Sequence, residues 1–107
     1  MLKLFPRDSA QSGAGWLVVG LGNPGPKYDM TRHNTGFMMI DALADRFGCD
    51  VRRLKFKGLY GRCKIAGEDV VLLKPSTFMN LSGQSVTEAM NFFHIPPAHV
   101  LLVFDDI

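Results

Sequence analysis

The sequence has no hydrophobic run long enough to cross a membrane. Its longest uninterrupted apolar stretch covers only residues 100–104, whereas a transmembrane helix needs about 20 apolar residues. The amino terminus, MLKLFPRDSAQSGAG, also lacks an apolar segment of secretory-signal length and becomes polar at Arg7. We therefore expect a cytoplasmic protein in which residues 1–15 form a flexible leader.

Cysteine is scarce in this chain. The two cysteines, Cys49 and Cys63, form no C-x-x-C pair and have no histidine at metal-binding spacing. Cysteines of cytoplasmic proteins are usually reduced. We expect two half-buried free thiols and no metal site.

Acidic residues are absent from residues 52–64, although the formal net charge of the whole chain is only +2. Six cations fall in this segment: Arg52, Arg53, Lys55, Lys57, Arg62 and Lys64. The simpler interpretation is a solvated strand face. The concentration of positive charge also suits a polyanionic partner.

The amino-terminal half of the chain alternates between strand and helix patterns. A short apolar run at 16–19 ends at glycines, which is typical of a buried strand. Apolar residues then recur at helical spacing from Thr35 to Phe47, and Gly48 stands where a helix would end. Residues 51–65 alternate like a half-exposed strand, with Leu54 and Phe56 facing one way and the neighbouring cations the other.

The second half continues the same alternation. A turn at 66–69 precedes a strand at 70–74, a second helix is predicted from Ser82 to the prolines at 96 and 97, and residues 99–104 form a last buried strand. The order β-α-β-β-β-α-β predicts one α/β domain with a twisted mixed β-sheet flanked by helices. No repeat or second domain is visible.

A glycine-rich turn follows the first strand. Gly20, Gly22 and Gly25 satisfy the G-x-G-x-x-G pattern of dinucleotide-binding folds. In those folds the last glycine opens a helix at once, so that the free N–H groups of the helix meet the phosphates. Here Pro26 follows and helical periodicity is delayed, while Asp45, at the spacing of the ribose-binding acid, lies inside the first helix. The pattern therefore does not indicate a nucleotide site.

The turn instead brings polar side chains to the carboxyl end of the first strand, where ligands collect in open α/β sheets. Four stretches are expected to converge there: G-N-P-G-P-K-Y at 22–28, T-R-H-N at 31–34, S-T-F-M-N-L-S-G at 76–83 and F-D-D at 104–106. They offer a histidine, a carboxylate at a strand end and two amides. This combination predicts an active site.

These stretches resemble those of bacterial-type peptidyl-tRNA hydrolases, in the same order and at the same spacing, from about Leu17 to Ile107. The resemblance implies hydrolysis of the ester between a peptide and tRNA without a metal, a cofactor or a covalent intermediate. It also implies that His33 is the general base for the attacking water and that Asp105 orients it. Imidazole suits that task because it titrates near neutral pH. Asp106 is the alternative carboxylate.

The resemblance further implies a substrate-binding role for four residues. Asn23 and Asn80 match amides that hold the peptide backbone, and Tyr28 and Phe78 match aromatic positions near the tRNA 3′ end. Asn23 is equally suited to forming a turn before proline, and Asn80 to capping the second helix. Stacking of bases on the aromatic rings would contribute about 1–3 kcal/mol per base.

The resemblance covers roughly the amino-terminal half of a typical family member. We therefore expect residues 16–107 to be the amino-terminal part of one α/β hydrolase domain, truncated and prone to self-association, whereas a full-length enzyme would be a monomer. Residues 52–64 become a candidate tRNA contact. A non-catalytic RNA-binding relative that assists splicing, or an inactive fragment, remains the alternative to an enzyme.

Overall fold

The computed structural model describes residues 15–22, 35–76 and 82–104. These residues form β1 (Trp16–Gly20), α1 (Thr35–Phe47), β2 (Arg53–Lys55), β3 (Gly58–Ile65), β4 (Glu68–Pro75), α2 (Ser82–Phe93), a 3₁₀ turn (Pro97–His99) and β5 (Val100–Val103). The predicted order of strands and helices is confirmed. Of the predicted leader, the structure describes only Gly15, whose N–H donates a hydrogen bond of 3.0 Å to the carbonyl oxygen of Asp69.

The five strands form one mixed sheet in the order β2-β3-β4-β1-β5. The first described strand, β1, lies between β4 and β5 and runs parallel to both. The strands β2, β3 and β4 are successive antiparallel neighbours. The mixed sheet predicted from the sequence is therefore confirmed, and its parallel part places three carboxyl ends at one edge.

Tight two-residue turns connect the antiparallel strands. Phe56 and Lys57 join β2 to β3, and Ala66 and Gly67 join β3 to β4, all four with positive φ, as in the hairpin turns that match the twist of a sheet. The prediction that Leu54 and Phe56 share one face of a strand is wrong. Leu54 is 81% exposed and Phe56 is 5% exposed, because the turn takes Phe56 out of the alternation.

Each face of the sheet carries its own hydrophobic core. On one face, α2 covers alternate residues of β1 and β4, and this core consists of Leu17, Val19, Phe56, Tyr60, Val71, Leu73, Ala89, Phe93 and Ile95. On the other face, Ile40 of α1 packs with Val18, Val51, Val70 and Leu72. The two central strands are therefore apolar at consecutive positions, as expected for strands that are buried on both sides.

Both helices end in the same left-handed cap. At the end of α1, Gly48 has a φ of +71° and the N–H of Cys49 donates to the carbonyl oxygen of Ala44 over 2.8 Å. At the end of α2, His94 has a φ of 58° and the N–H of Ile95 donates to the carbonyl oxygen of Met90 over 2.9 Å. This pattern satisfies carbonyl groups that the helix leaves free.

The cap of α1 delivers Cys49 to the sheet, where it forms a disulfide with Cys63 of β3. The Cα atoms of the two residues are 5.4 Å apart, within the range that a disulfide spans. The prediction of two free thiols is therefore wrong. It was drawn from the spacing of the cysteines along the chain, which does not reveal that the end of α1 lies over the middle of β3.

The predicted last strand is shorter and more exposed than expected. His99 belongs to the 3₁₀ turn, and β5 begins at Val100. Leu101 and Leu102 are 54% and 50% exposed, because β5 is an outer strand of the sheet and pairs only with β1 among the described strands. The prediction of a buried strand is wrong. Among the described residues, no helix is long and apolar enough to span a membrane.

Candidate active site

The carboxyl ends of β1, β4 and β5 lie at one edge of the sheet. This follows from the parallel pairing of β1 with both neighbours, in which Val19 aligns with Leu73 and Gly20 aligns with Val103. In an open α/β sheet, this edge is where loops build a binding site. Of the predicted polar stretches, the described residues Gly22, Ser76 and Phe104 follow the ends of β1, β4 and β5 at this edge.

The start of α1 packs directly against this edge. A Cβ atom added to Gly36 would overlap the carbonyl oxygens of Leu21 and Val103, and one added to Gly20 would overlap the carbonyl oxygen of Gly36 and the side chain of Ile40. Only glycine permits backbones to approach this closely. The first turn of α1 is therefore held between the ends of β1 and β5.

A backbone hydrogen bond extends the pairing of β1 and β5 beyond the ends of the strands. The N–H of Leu21 donates to the carbonyl oxygen of Val103 over 2.8 Å. Leu21 is two positions before Asn23, and Val103 is two positions before Asp105. The described residues that lead to Asn23 and to Asp105 are thus neighbours, and Thr35, two positions after His33, opens the helix packed against them.

The end of β4 is fixed to the β2–β3 turn. The N–H of Ser76 donates to the carbonyl oxygen of Lys57 over 2.8 Å, and the buried hydroxyl of Ser85 in α2 donates to the carbonyl oxygen of Phe56. Two backbone carbonyls of the turn are therefore satisfied by the residues on either side of the segment 77–81. That segment carries Phe78 and Asn80.

All six predicted site residues lie outside the described residues: His33, Asp105, Asn23, Tyr28, Phe78 and Asn80. The alternative carboxylate Asp106 does as well. Their assignments stay predictions. The described structure fixes the residues that flank them, and these flanking residues meet at the carboxyl edge of the sheet.

An apolar groove of about 410 Å³ lies beside this edge, on the face covered by α2. Its lining comes from the end of β1, the outer strand β5, the 3₁₀ turn and one side of α2: Leu21, Ser82, Gly83, Val86, Thr87, Met90, Pro97, Val100 and Leu102. Small and apolar residues dominate this surface. In chemical terms the groove suits an apolar group better than a charged one.

Sequence reasoning assigned no role to His99, and the structure gives it a structural one. Its ring stacks on Trp16, with centroids 4.2 Å apart and planes within 12°, and its Nδ1 lies 2.8 Å from the carbonyl oxygen of Gly15. These contacts tie the 3₁₀ turn to the start of β1, at the edge opposite to the candidate site. Within the described residues, no group of three or more His, Cys, Asp or Glu side chains is arranged to hold a metal ion.

Comparison with known proteins supports the resemblance seen in the sequence. Residues 17–107 match the family model described as peptidyl-tRNA hydrolase. The chain is 55% identical over 92 residues to the peptidyl-tRNA hydrolase of Alkaliphilus metalliredigens, which covers 86% of this chain and 50% of that protein. It is also 55% identical over 91 residues to the enzyme of Caldanaerobacter subterraneus, covering 85% and 49%.

A solved structure gives the same result for the fold. The crystal structure of peptidyl-tRNA hydrolase from Acinetobacter baumannii superposes with a TM-score of 0.79 at 47% identity, covering 84% of this chain and 46% of that one. The chain spans about half the length of the curated relatives it matches.

Proposed function

Because the chain belongs to the peptidyl-tRNA hydrolase family, we propose that the protein hydrolyses the ester between a peptide, or an N-blocked amino acid, and the 3′ ribose of tRNA. This reaction recycles peptidyl-tRNA released from stalled translation. The observation that carries the proposal is the family match over residues 17–107, which includes G-N-P-G, T-R-H-N, S-T-F-M-N and F-D-D. The packing of the start of α1 between the ends of β1 and β5 also supports it.

In the proposed mechanism His33 is the general base. Its imidazole accepts a proton from a water molecule whose oxygen adds to the ester carbonyl carbon. When the tetrahedral intermediate collapses, the bond to the ribose 3′ oxygen breaks and the imidazolium returns the proton to that oxygen. Asp105 accepts a hydrogen bond from the other ring nitrogen, which fixes the tautomer and stabilises the charged form.

The remaining predicted residues recognise the two halves of the substrate. Asn23 and Asn80 present amides that pair with the peptide backbone and position the carbonyl and the water. A site that pairs with a peptide amide discriminates against a free α-ammonium, because its own polar groups are then left unsatisfied. Tyr28 and Phe78 stack with bases near the 3′ end of the tRNA.

The test is turnover of N-blocked aminoacyl-tRNA by the 107-residue chain and by its His33→Ala variant. We expect the variant to lose about 100-fold or more in kcat, the range for a general base. His94→Asn is the matched control, because it removes another imidazole at a left-handed position that asparagine tolerates, and it should leave turnover unchanged. If the wild type and both variants bind tRNA tightly but none of them turns over the substrate, the result would instead support a splicing-type RNA-binding protein. If they show no binding and no turnover, the chain is an inactive fragment.

The proposed partners and location follow from this reaction. Peptidyl-tRNA is the substrate, and the cytoplasm is where translation produces it. We expect the full-length enzyme to act as a monomer without a metal. The 107-residue chain is expected to self-associate through β5, which pairs on one side only among the described strands and exposes Leu101 and Leu102. Such an outer strand presents a template for pairing with a second copy.

A further inference from the structure

We propose that the β2–β3 hairpin binds the phosphate backbone of the tRNA next to its 3′ end. The inference rests on the proposed function, which brings the tRNA 3′ ribose to the carboxyl edge of the sheet. It concerns the cations of residues 52–64, which the catalytic mechanism does not use. The claim is that part of this charge forms a phosphate-binding surface, which we call the hairpin surface and define as Arg53, Lys55 and Arg62.

The register of the strands places these three residues on one face of the sheet. Arg53 pairs with Tyr60, and residues directly opposite each other in an antiparallel pair project to the same side. Lys55 and Arg62 are each two positions away from these residues, so they share that side. Tyr60 packs against Phe93 in the core under α2. The hairpin surface therefore lies on the α2 face of the sheet, beyond the end of the helix.

Among the described residues, three cations of this segment form ion pairs whose partners are known to be carboxylates: Arg52, Lys57 and Lys64. Arg52 contacts Asp50 at 2.6 Å, Lys57 contacts Glu88 at 2.5 Å and Lys64 contacts Asp69 at 2.9 Å. The hydrogen bond and charge of Asp50 raise the pKa of Arg52. These pairs reduce the charge that Arg52, Lys57 and Lys64 offer to a partner.

Lys55 is held differently. Its Nζ lies 4.4 Å from the ring centroid of Phe92 and 5.8 Å from that of Phe56. Cation–π contact holds the ammonium in place without neutralising it. Within the described part of the chain, neither Lys55 nor Arg53 pairs with a carboxylate. Their charge therefore remains available to a polyanion.

A cleft of about 300 Å³ lies between the two arginines. It is lined by Asp50, Arg53, Tyr60, Gly61 and Arg62. Guanidinium groups bind phosphate oxygens through paired N–H donors. Among the described lining residues, the carboxylate is that of Asp50, which contacts Arg52. The arrangement suits one phosphate group better than a neutral ligand.

The hairpin surface is continuous with the carboxyl edge of the sheet. Lys55, Lys57 and Ser76 line one shallow depression with Leu54 and Gly58, and Ser76 is bonded to Lys57 through the backbone. Arg62 is four positions along β3 from Gly58, which corresponds to about 13 Å at the rise of a strand. An RNA strand whose 3′ end lies at the candidate site can therefore pass Lys55 and reach the cleft between Arg53 and Arg62.

The experiment measures binding of unacylated tRNA by the 107-residue chain at several salt concentrations. The double variant Arg53→Gln with Lys55→Gln should bind about tenfold or more weakly at low salt and should reduce the slope of log K against log salt by about 2, since each lost phosphate contact reduces it by about 1. The control is Arg46→Gln with Lys64→Gln, which removes the same charge from the end of α1 and from a paired position on β3. It should leave the slope unchanged.

A charge-preserving variant separates binding from folding. Arg53→Lys with Lys55→Arg keeps both charges and should keep the wild-type salt slope, while melting curves verify that all variants fold. The inference is overturned if the wild type does not bind tRNA, if the double variant keeps the wild-type slope, or if the control loses as much affinity.

The two proposals fail in different ways. If His33→Ala loses turnover while Arg53→Gln with Lys55→Gln binds tRNA like the wild type, the hairpin surface is rejected and the proposed hydrolase activity stands. A salt slope that depends on Arg53 and Lys55, with turnover that does not depend on His33, would reject the mechanism and leave the RNA surface.

Discussion

Gly20 of β1 and Gly36 of α1 meet backbone to backbone. The position of a Cβ atom on Gly20 is already taken by the carbonyl group of Gly36, so neither strand nor helix has room for a side chain at the crossing. Because Gly36 also lies against Leu21 and Val103, this contact fixes where the loop before α1 meets the ends of β1 and β5.

Gly36→Ala should destabilise the fold and lower activity. The added methyl group must displace backbone atoms of Leu21 and Val103, and overpacking of this kind costs about 1–3 kcal/mol of the free energy of unfolding. Thermal or urea unfolding measures that loss, and turnover of N-blocked aminoacyl-tRNA measures the displacement of the site. Gly83→Ala is the control, since no atom of the described residues lies within 4 Å of a Cβ atom added there. Since Gly83 is in the first turn of α2, this change should alter the free energy of unfolding by no more than about 0.5 kcal/mol. Equal destabilisation of both variants would contradict the prediction.

Reducing the disulfide between Cys49 and Cys63 should lower the thermal stability of the oxidised protein. The crosslink joins residues separated by 14 positions, and closing a loop of about 15 residues contributes about 3 kcal/mol in the chain-entropy estimate. Melting temperatures with and without dithiothreitol measure the difference. The double variant Cys49→Ser with Cys63→Ser should melt at the same temperature under both conditions. A wild-type melting temperature that does not respond to the reductant would contradict the prediction.

Leu101→Lys should weaken self-association of the 107-residue chain. A lysine on the free edge of β5 opposes pairing with the edge of a second copy, and we expect the dissociation constant to rise on the order of tenfold, which corresponds to about 1.4 kcal/mol. Sedimentation at several protein concentrations measures this dissociation constant. Leu54→Lys adds the same charge on the outer strand β2, where Leu54 is 81% exposed, and should have no effect. A monomeric wild-type chain would refute the expectation outright.

The order of strands and helices could be predicted because local signals mark it. Helical spacing from Thr35 and the glycine at position 48 determine α1, and the apolar runs determine β1 and β4. The candidate site was predicted from motifs rather than from periodicity. The described structure adds the meeting of Leu21, Val103 and Gly36 at one edge.

Two of the errors concern contacts between distant parts of the chain, and the third concerns a local turn. Pairing of Cys49 with Cys63 depends on where α1 crosses the sheet, and the exposure of Leu101 depends on β5 having one neighbour instead of two. The position of Phe56 depends on a two-residue turn without glycine, at a place where the sequence pattern continues as a strand. None of these features leaves a periodic signal in a single sequence.

The position of β1 between β4 and β5 has a consequence for biosynthesis. Of the described strands, β1 is synthesised first and pairs with residues from Val70 and from Val100 onwards, so Leu17 and Val19 are made long before either partner exists. Contacts between such distant residues form slowly. Until its partner strands are synthesised, the apolar strand β1 is unpaired and prone to aggregation. We expect the nascent chain to need protection by a chaperone until β5 has emerged.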